Sequence, residues 1–147
     1  MSIMSAQASP DSTAAYLAEA REAIATITAT GLKLSRGGFV LDEDREHAQG
    51  PDFVPECVAT ALAFLDRGPI SRVSPGDRRA VGSYGCKHAA ENWGREHGLE
   101  PYVSNGDLIL AAIWRGIKYA RDPGGSPNCR LGLRYLSRRR HRSWGAS

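Results

Sequence analysis

The chain has 147 residues, of which 41% are hydrophobic and 24% charged, a composition typical of a folded globular protein and far from that of a disordered one. No apolar run approaches the roughly 20 residues that a membrane-spanning helix requires, and the first residues lack the basic and apolar regions of a secretory signal. The three cysteines are odd in number and far apart, which favours free thiols in a reducing compartment. These features predict a cytoplasmic protein with no membrane partner.

Charge is distributed unevenly along the chain. Residues 1–60 hold four basic and nine acidic residues, a net charge of −5, whereas residues 61–147 hold fifteen and seven, a net charge of +8. A basic C-terminal half of this kind is typical of proteins that bind nucleic acid or an acidic protein surface.

The first part of the chain predicts two helices separated by a hairpin. Capping residues and a proline at positions 9–12 precede apolar residues at helical spacing, which predicts a helix over 11–29. Apolar residues on both sides of Ser35-Arg36-Gly37-Gly38 predict a small hairpin over 32–41. The following run of helix formers, bounded by Pro55 and Gly68, predicts a second helix over 55–67.

The middle of the chain predicts a loop and a third helix. Residues 68–82 are rich in glycine, proline and serine, as loops are. Ser83 is a suitable N-cap, and Gly98 a suitable stop, for a helix over 83–97.

A fourth helix is predicted from about 105 to 121, and its part 105–117 is apolar on nearly every side. Ser104 is its expected N-cap, and Asp107 completes an approximate capping box. Because 105–117 offers few side chains that could read base edges, it is a core helix rather than the recognition helix of a helix-turn-helix. A phosphate could approach the N–H groups at its start, but Ser104 and Asp107 compete for that position.

Together these elements predict a mainly α fold with a minor β component, a small α+β protein of about four helices around the central apolar helix 105–117. Alternating apolar residues predict a strand within 129–136, which is expected to form a minor sheet with the hairpin 32–41. We expect a single globular domain over 1–136 and a basic, flexible tail over 137–147.

The third helix divides into an apolar and a polar side at 100° per residue. The apolar side consists of Cys86, Ala89, Ala90, Trp93 and His97. The polar side, predicted to be exposed and to contain an ion pair between Glu91 and Arg95, consists of Tyr84, His88, Glu91 and Arg95.

This division argues against a reactive cluster in SYGCKHAAENW, residues 83–93. Cys86 and His88 point apart and therefore do not form a nucleophile–base pair, so Cys86 could be activated only by a histidine from elsewhere, His47 or His141. The sequence contains no closely spaced pair of cysteines, the usual sign of a structural metal site. The sequence therefore predicts no catalytic residue, no metal ligand and no cofactor.

The basic residues favour a non-enzymatic regulator that binds DNA or RNA. No acidic residue occurs from Cys129 to the C-terminus, and such a run can neutralise phosphates with little sequence specificity. The predicted nucleic-acid contacts are Lys87, Arg95, Arg134, Arg138, Arg139, Arg140 and Arg142.

The alternative is a protein-binding modulator or inhibitor whose partner is another protein. Tyrosine and arginine are frequent anchors of protein interfaces. The contact would be made by the acidic loop 42–46 or by the helix face formed by Tyr84, His88, Glu91 and Arg95.

Overall fold

The computed structural model describes residues 10–40 and 53–136. This part of the chain contains four helices: α1 (Pro10–Ala29), α2 (Pro55–Arg67), α3 (Ser83–Glu96) and α4 (Asn105–Trp114). It also contains seven short strands: β1 (Leu34–Ser35), β2 (Gly38–Phe39), β3 (Ile70–Arg72), β4 (Val81–Gly82), β5 (Tyr119–Arg121), β6 (Cys129–Leu131) and β7 (Leu133–Tyr135). The predicted fold class, mainly α with small sheets, is confirmed.

Helix α4 is the centre of the fold. Residues Asn105 to Ala112 are all buried, and the helix packs against α1, α2, α3 and the β1–β2 hairpin. Its predicted capping box is present, because Ser104 Oγ accepts from the Asp107 N–H at 3.0 Å and Asp107 Oδ2 accepts from the Ser104 N–H at 2.9 Å. The apolar side chains of this helix therefore lie in the core, as their distribution predicts.

The predicted end of α4 is wrong. The helix ends at Trp114 instead of 117 or 121, and Gly116 follows with a φ of 75°. A residue in this left-handed conformation terminates a helix, and glycine adopts it without steric cost. Residues Tyr119–Arg121 then form strand β5.

Helices α1 and α2 and the β1–β2 hairpin lie where the sequence predicts them. The expected sheet between this hairpin and 129–136 is not formed. Strands β1 and β2 pair only with each other, whereas β6 pairs with β4 and β5, and β7 pairs with β3. Segment 68–82, predicted to be a loop, thus supplies two strands that occupy the partner positions beside β6 and β7.

Helix α3 has the predicted extent but a different N-cap. The cap is Gly82, and Ser83 is the first helical residue. Ser83 Oγ accepts a hydrogen bond from the Cys129 N–H at 3.1 Å. The hydroxyl thus ties the start of α3 to strand β6 instead of capping the helix.

Side chains from all four helices and from the strands meet in one hydrophobic core. Its largest fully buried members are Phe64, Leu62, Leu108, Ile109 and Leu110. Among the described residues, none of the helices combines the length and the apolar character needed to cross a membrane.

Candidate nucleic-acid interface

The apolar side of α3 is largely as predicted. Cys86, Ala90 and Trp93 are buried, whereas His97 is exposed at the end of the helix. The His97 ring stacks on Trp93 with the ring centroids 4.1 Å apart, and its Nδ1 lies 2.7 Å from the Trp93 carbonyl oxygen. His97 therefore closes the end of the core instead of facing Cys86.

The polar side of α3 differs from the prediction, because Glu91 is buried beside Lys87, which is only 8% exposed. Lys87 Nζ lies 3.4 Å from Glu91 Oε2, which also accepts from the Val103 N–H at 3.1 Å. The segment before α4 covers this side of α3, so both charges are satisfied inside the protein. The predicted role of Lys87 in contacting phosphate thus has no geometric support.

Arg95 is exposed and donates to Asn92 Oδ1 at 2.9 Å. The expected pair between Glu91 and Arg95 is absent, since Glu91 is engaged by Lys87 and by His88, whose Nδ1 lies 3.0 Å from Glu91 Oε1. Arg95 therefore remains an accessible cation.

Cations and aromatic rings alternate beside α3, and we call this set the aromatic ladder: Arg36, Tyr102, Lys87, Tyr84 and His88. Lys87 Nζ lies 5.3 Å from the centroid of the Tyr102 ring and 5.5 Å from that of Tyr84. Arg36 Cζ lies 5.2 Å from the Tyr102 centroid, and the rings of Tyr84 and His88 meet edge to face. Tyr84 and Tyr102 remain 54% and 49% exposed, so the ladder presents two partly exposed tyrosines held by cation–π contacts.

The β1–β2 hairpin is docked on the N-terminus of α4. Arg36 Nη2 donates to Asp107 Oδ2 at 3.0 Å, and the Gly106 N–H donates to the Arg36 carbonyl oxygen at 2.7 Å. The side-chain amide nitrogen of Asn105, Nδ2, donates to the Gly37 carbonyl oxygen at 3.0 Å. The hairpin therefore occupies the position at which a phosphate could have approached this helix.

Positive charge is concentrated in strands β3–β7 and the segments that connect them. Residues 68–82 and 116–136 contain seven basic residues and only two acidic ones, Asp77 and Asp122. This part of the fold consists of a two-stranded sheet of β3 and β7, a three-stranded sheet of β4, β6 and β5, and their connections, and we call it as a whole the basic sheet. Its cations are Arg72, Arg78, Arg79, Lys118, Arg121, Arg130 and Arg134.

Some of these cations have structural roles. Arg130 donates to the carbonyl oxygens of Pro75, Asp77 and Ala80, which holds the β3–β4 connection against β6. Arg79 donates through its side chain and its backbone N–H to Asp77, and these hydrogen bonds hold the pKa of that carboxyl well below its usual value. The charge of Asp77 is thus matched by Arg79.

Other cations of the basic sheet form no salt bridge within the described residues, although the charge of Arg78 helps to lower the pKa of Asp77. Arg78 and Lys118 are exposed and Arg134 is half-buried, and their side chains make no hydrogen bond or salt bridge within residues 10–40 and 53–136. Arg72 is also exposed, and within the described part of the chain its side chain donates only to the Arg115 carbonyl oxygen, through Nη2. The basic sheet therefore carries an excess of positive charge that is not neutralised internally.

Five predicted features lie outside the described residues: Arg138, Arg139, Arg140, Arg142 and the acidic loop 42–46. Strand β7 ends at Tyr135, and the Leu136 N–H donates to the Pro69 carbonyl oxygen at 2.9 Å. The described chain thus ends next to strand β7, and the predicted tail 137–147 lies outside the described residues.

The cysteines are buried and free. Burial raises the pKa of Cys86 to about 12 and those of Cys57 and Cys129 to about 11, so the nucleophilic thiolate is disfavoured at neutral pH. Within the described residues, no three side chains of His, Cys, Asp or Glu are grouped closely enough to hold a metal ion.

Sequence reasoning missed Arg72, Arg78, Lys118 and Arg121 as members of one basic region, although three arginines in segment 68–82 were a visible signal. Comparison with known proteins adds no assignment, since no family model, no curated protein and no solved structure matches this chain.

Proposed function

We propose that this protein binds nucleic acid through the basic sheet, as a small non-enzymatic regulator. The observation that carries the proposal is that Arg78, Lys118 and Arg134 form no side-chain hydrogen bond or salt bridge in the described structure, on a part of the fold with only two acidic residues. Cations without internal partners can exchange their counterions for phosphates, and this release of counterions drives binding. The free state of all three cysteines supports a cytoplasmic location.

The proposed mode of binding is electrostatic and weakly sequence-specific. Helix α4 is buried, so it cannot enter the major groove, and the exposed strands contain only two or three residues each. Phosphate contacts position a protein on nucleic acid without reading its sequence. DNA and RNA oligonucleotides of equal length should therefore bind with similar affinity.

Binding to a labelled oligonucleotide, measured by fluorescence anisotropy, tests the proposal. The variant Arg78→Gln/Arg134→Gln removes two cations of the basic sheet that form no salt bridge in the described structure. We expect it to weaken binding on the order of tenfold at low salt. The matched control Arg21→Gln/Lys33→Gln removes the same charge from the acidic N-terminal part of the chain and should have little effect. If both variants weaken binding equally, or if neither variant weakens it, the basic sheet is not the interface.

Two further variants separate the other predicted contacts. Deletion of 137–147 should also weaken binding, because it removes four arginines without touching the described fold. Arg95→Gln should have a smaller effect, since Arg95 lies on α3 and donates to Asn92. If the deletion abolishes binding while the sheet variant retains it, the tail alone is the interface.

A second candidate function is binding to another protein through the aromatic ladder. The observation in its favour is that Tyr84 and Tyr102 are both about half exposed although each ring is fixed by Lys87. Rigid, partly exposed tyrosines are frequent interface anchors because their ordering upon binding costs little entropy. This surface includes two of the four residues that the sequence predicts for a protein contact, Tyr84 and His88.

Affinity capture from a nuclease-treated extract distinguishes the two functions. If the ladder is the interface, a stoichiometric protein partner should be captured by the wild type and lost in Tyr84→Ala/Tyr102→Ala. Tyr119→Ala, on the basic sheet, should retain it. A partner that binds all three proteins equally would argue against the ladder.

A further inference from the structure

We infer that a cavity between Arg72 and Lys118 is a phosphate-binding subsite of the basic sheet. Its volume is about 360 Å³, and it is lined by Arg72, Val73, Ser74, Gly116, Lys118 and Gly132. Among the described residues, no acidic side chain lines it, whereas two cationic side chains and one hydroxyl do. As the contact for a nucleic-acid backbone, this subsite rests on the proposed function, but its chemistry applies equally to a free phosphate.

Three separate segments are held together to form the cavity. The Val73 N–H donates to the Gly132 carbonyl oxygen at 2.9 Å, and the Gly132 N–H donates to the Lys118 carbonyl oxygen at 2.7 Å. A Cβ atom at Gly132 would lie 2.6 Å from the Val73 carbonyl oxygen and 3.1 Å from that of Lys118. The close approach therefore requires glycine at this position, and the backbone fixes the relative positions of the two cations.

The cationic groups retain donors for a ligand. Arg72 donates one N–H through Nη2 to the Arg115 carbonyl oxygen at 3.1 Å, which anchors its guanidinium while its other N–H groups have no partner in the described structure. The Lys118 ammonium has none either. Ser74 Oγ accepts from the Gly76 N–H at 3.2 Å, so the Ser74 O–H can still donate. The site thus combines the planar guanidinium of Arg72, the compact ammonium of Lys118 and the hydroxyl of Ser74.

This combination fits a tetrahedral oxyanion with more than one charged or hydrogen-bonding oxygen. Arginine binds two oxygens of a phosphate at once, whereas lysine binds as a compact charge, and both bonds are strengthened by charge. A phosphate group of a nucleic-acid backbone and inorganic phosphate share this chemistry. We therefore assign phosphate as the ligand class.

Titration with inorganic phosphate, followed by backbone amide chemical shifts at low salt, tests the subsite on the full chain. In the wild type, we expect saturable shifts centred on residues 72–74, 116–118 and 132. Lys118→Gln and Arg72→Gln should each weaken phosphate binding at least fivefold, whereas Arg121→Gln, which removes a cation outside the cavity, should not. Because Lys118 is exposed and donates to no described residue, its variant should keep the wild-type fold.

A parallel titration with an oligonucleotide separates failure of the subsite from failure of the proposed function. Oligonucleotide binding that is unaffected in Lys118→Gln and Arg72→Gln, together with no phosphate-dependent shifts, would overturn the subsite and leave the basic sheet as the interface. Phosphate binding that depends on both residues, without oligonucleotide binding, would support the subsite for a free phosphate and overturn the proposed function.

Discussion

Removal of the Asp107 carboxylate should destabilise the protein more than any exposed charge substitution. Asp107 is fully buried, and its Oδ2 accepts from both the Ser104 N–H and Arg36 Nη2. The same carboxylate therefore caps the central helix and neutralises the cation of the docked hairpin. Asp107→Ala removes both interactions at once.

The magnitude follows from these two interactions. Loss of a capping interaction at a helix N-terminus costs about 1 kcal/mol. Loss of one partner of a fully buried ion pair costs about 3–5 kcal/mol because the other charge remains without compensation. The Arg36 side chain is 25% exposed and can be partly solvated, which lowers the second contribution. We therefore expect Asp107→Ala to reduce the free energy of unfolding by about 3 kcal/mol.

Urea unfolding of a double-mutant cycle measures this effect. Arg36→Ala, Asp107→Ala and the double variant should give a coupling free energy of about 1–3 kcal/mol between the two side chains. Arg79→Ala, which breaks an exposed ion pair, is the control and should leave the unfolding midpoint unchanged. An Asp107→Ala protein as stable as the wild type, or a coupling free energy near zero, would refute this description of the hairpin.

Three other predictions concern packing and ionisation. Gly106→Ala should lower the melting temperature, because its Cβ would lie 1.8 Å from a hairpin carbonyl oxygen, whereas Gly85→Ala, with nothing within 4 Å, should not. The three thiols should react with a disulfide reagent at pH 8 only after unfolding, since burial raises each thiol pKa; labelling of the native protein at the rate of free cysteine would contradict this. Hydrogen bonds from Arg115 lower the pKa of Glu19 in the folded protein. The stabilisation by the ionised Glu19 carboxylate is therefore present above about pH 4.5, and it is lost as the pH falls through the lowered pKa of the folded state. Glu19→Gln should therefore flatten the acid dependence of stability, and an unchanged pH profile would oppose this assignment.

Elements marked by strong local signals could be predicted from the sequence. Pro55 and Gly68 bound α2 at the positions expected of them, and Ser104 with Asp107 forms the capping box that starts α4. These features depend on the hydrogen bonds and backbone preferences of neighbouring residues. Distant parts of the chain have little influence on them.

The strands and the burial of the ladder residues could not be predicted in the same way. Strands β3, β4 and β5 have two or three residues each, too few for an alternating pattern to be recognised. The helical wheel of α3 contains no information on the segment at Tyr102 and Val103, which covers Lys87 and Glu91. Burial here is decided by tertiary contacts.

The basic sheet was missed for a related reason. Its cations Arg72, Lys118 and Arg134 are separated by long stretches of sequence, and the backbone segments that carry them are joined only through the pairing of β3 with β7 and the hydrogen bonds of Gly132. The sequence showed an excess of positive charge in the C-terminal half but not the strand pairing of the segments that carry it.

The salt dependence of oligonucleotide binding tests the central claim most directly. Each phosphate contact contributes about 0.7–0.9 to the slope of log K against log salt concentration. The slope for Arg78→Gln/Arg134→Gln should thus be shallower than that of the wild type by about 1.4–1.8, with the slope for Arg21→Gln/Lys33→Gln unchanged. Identical slopes for the wild type and the sheet variant would contradict the assignment of the basic sheet as the nucleic-acid interface.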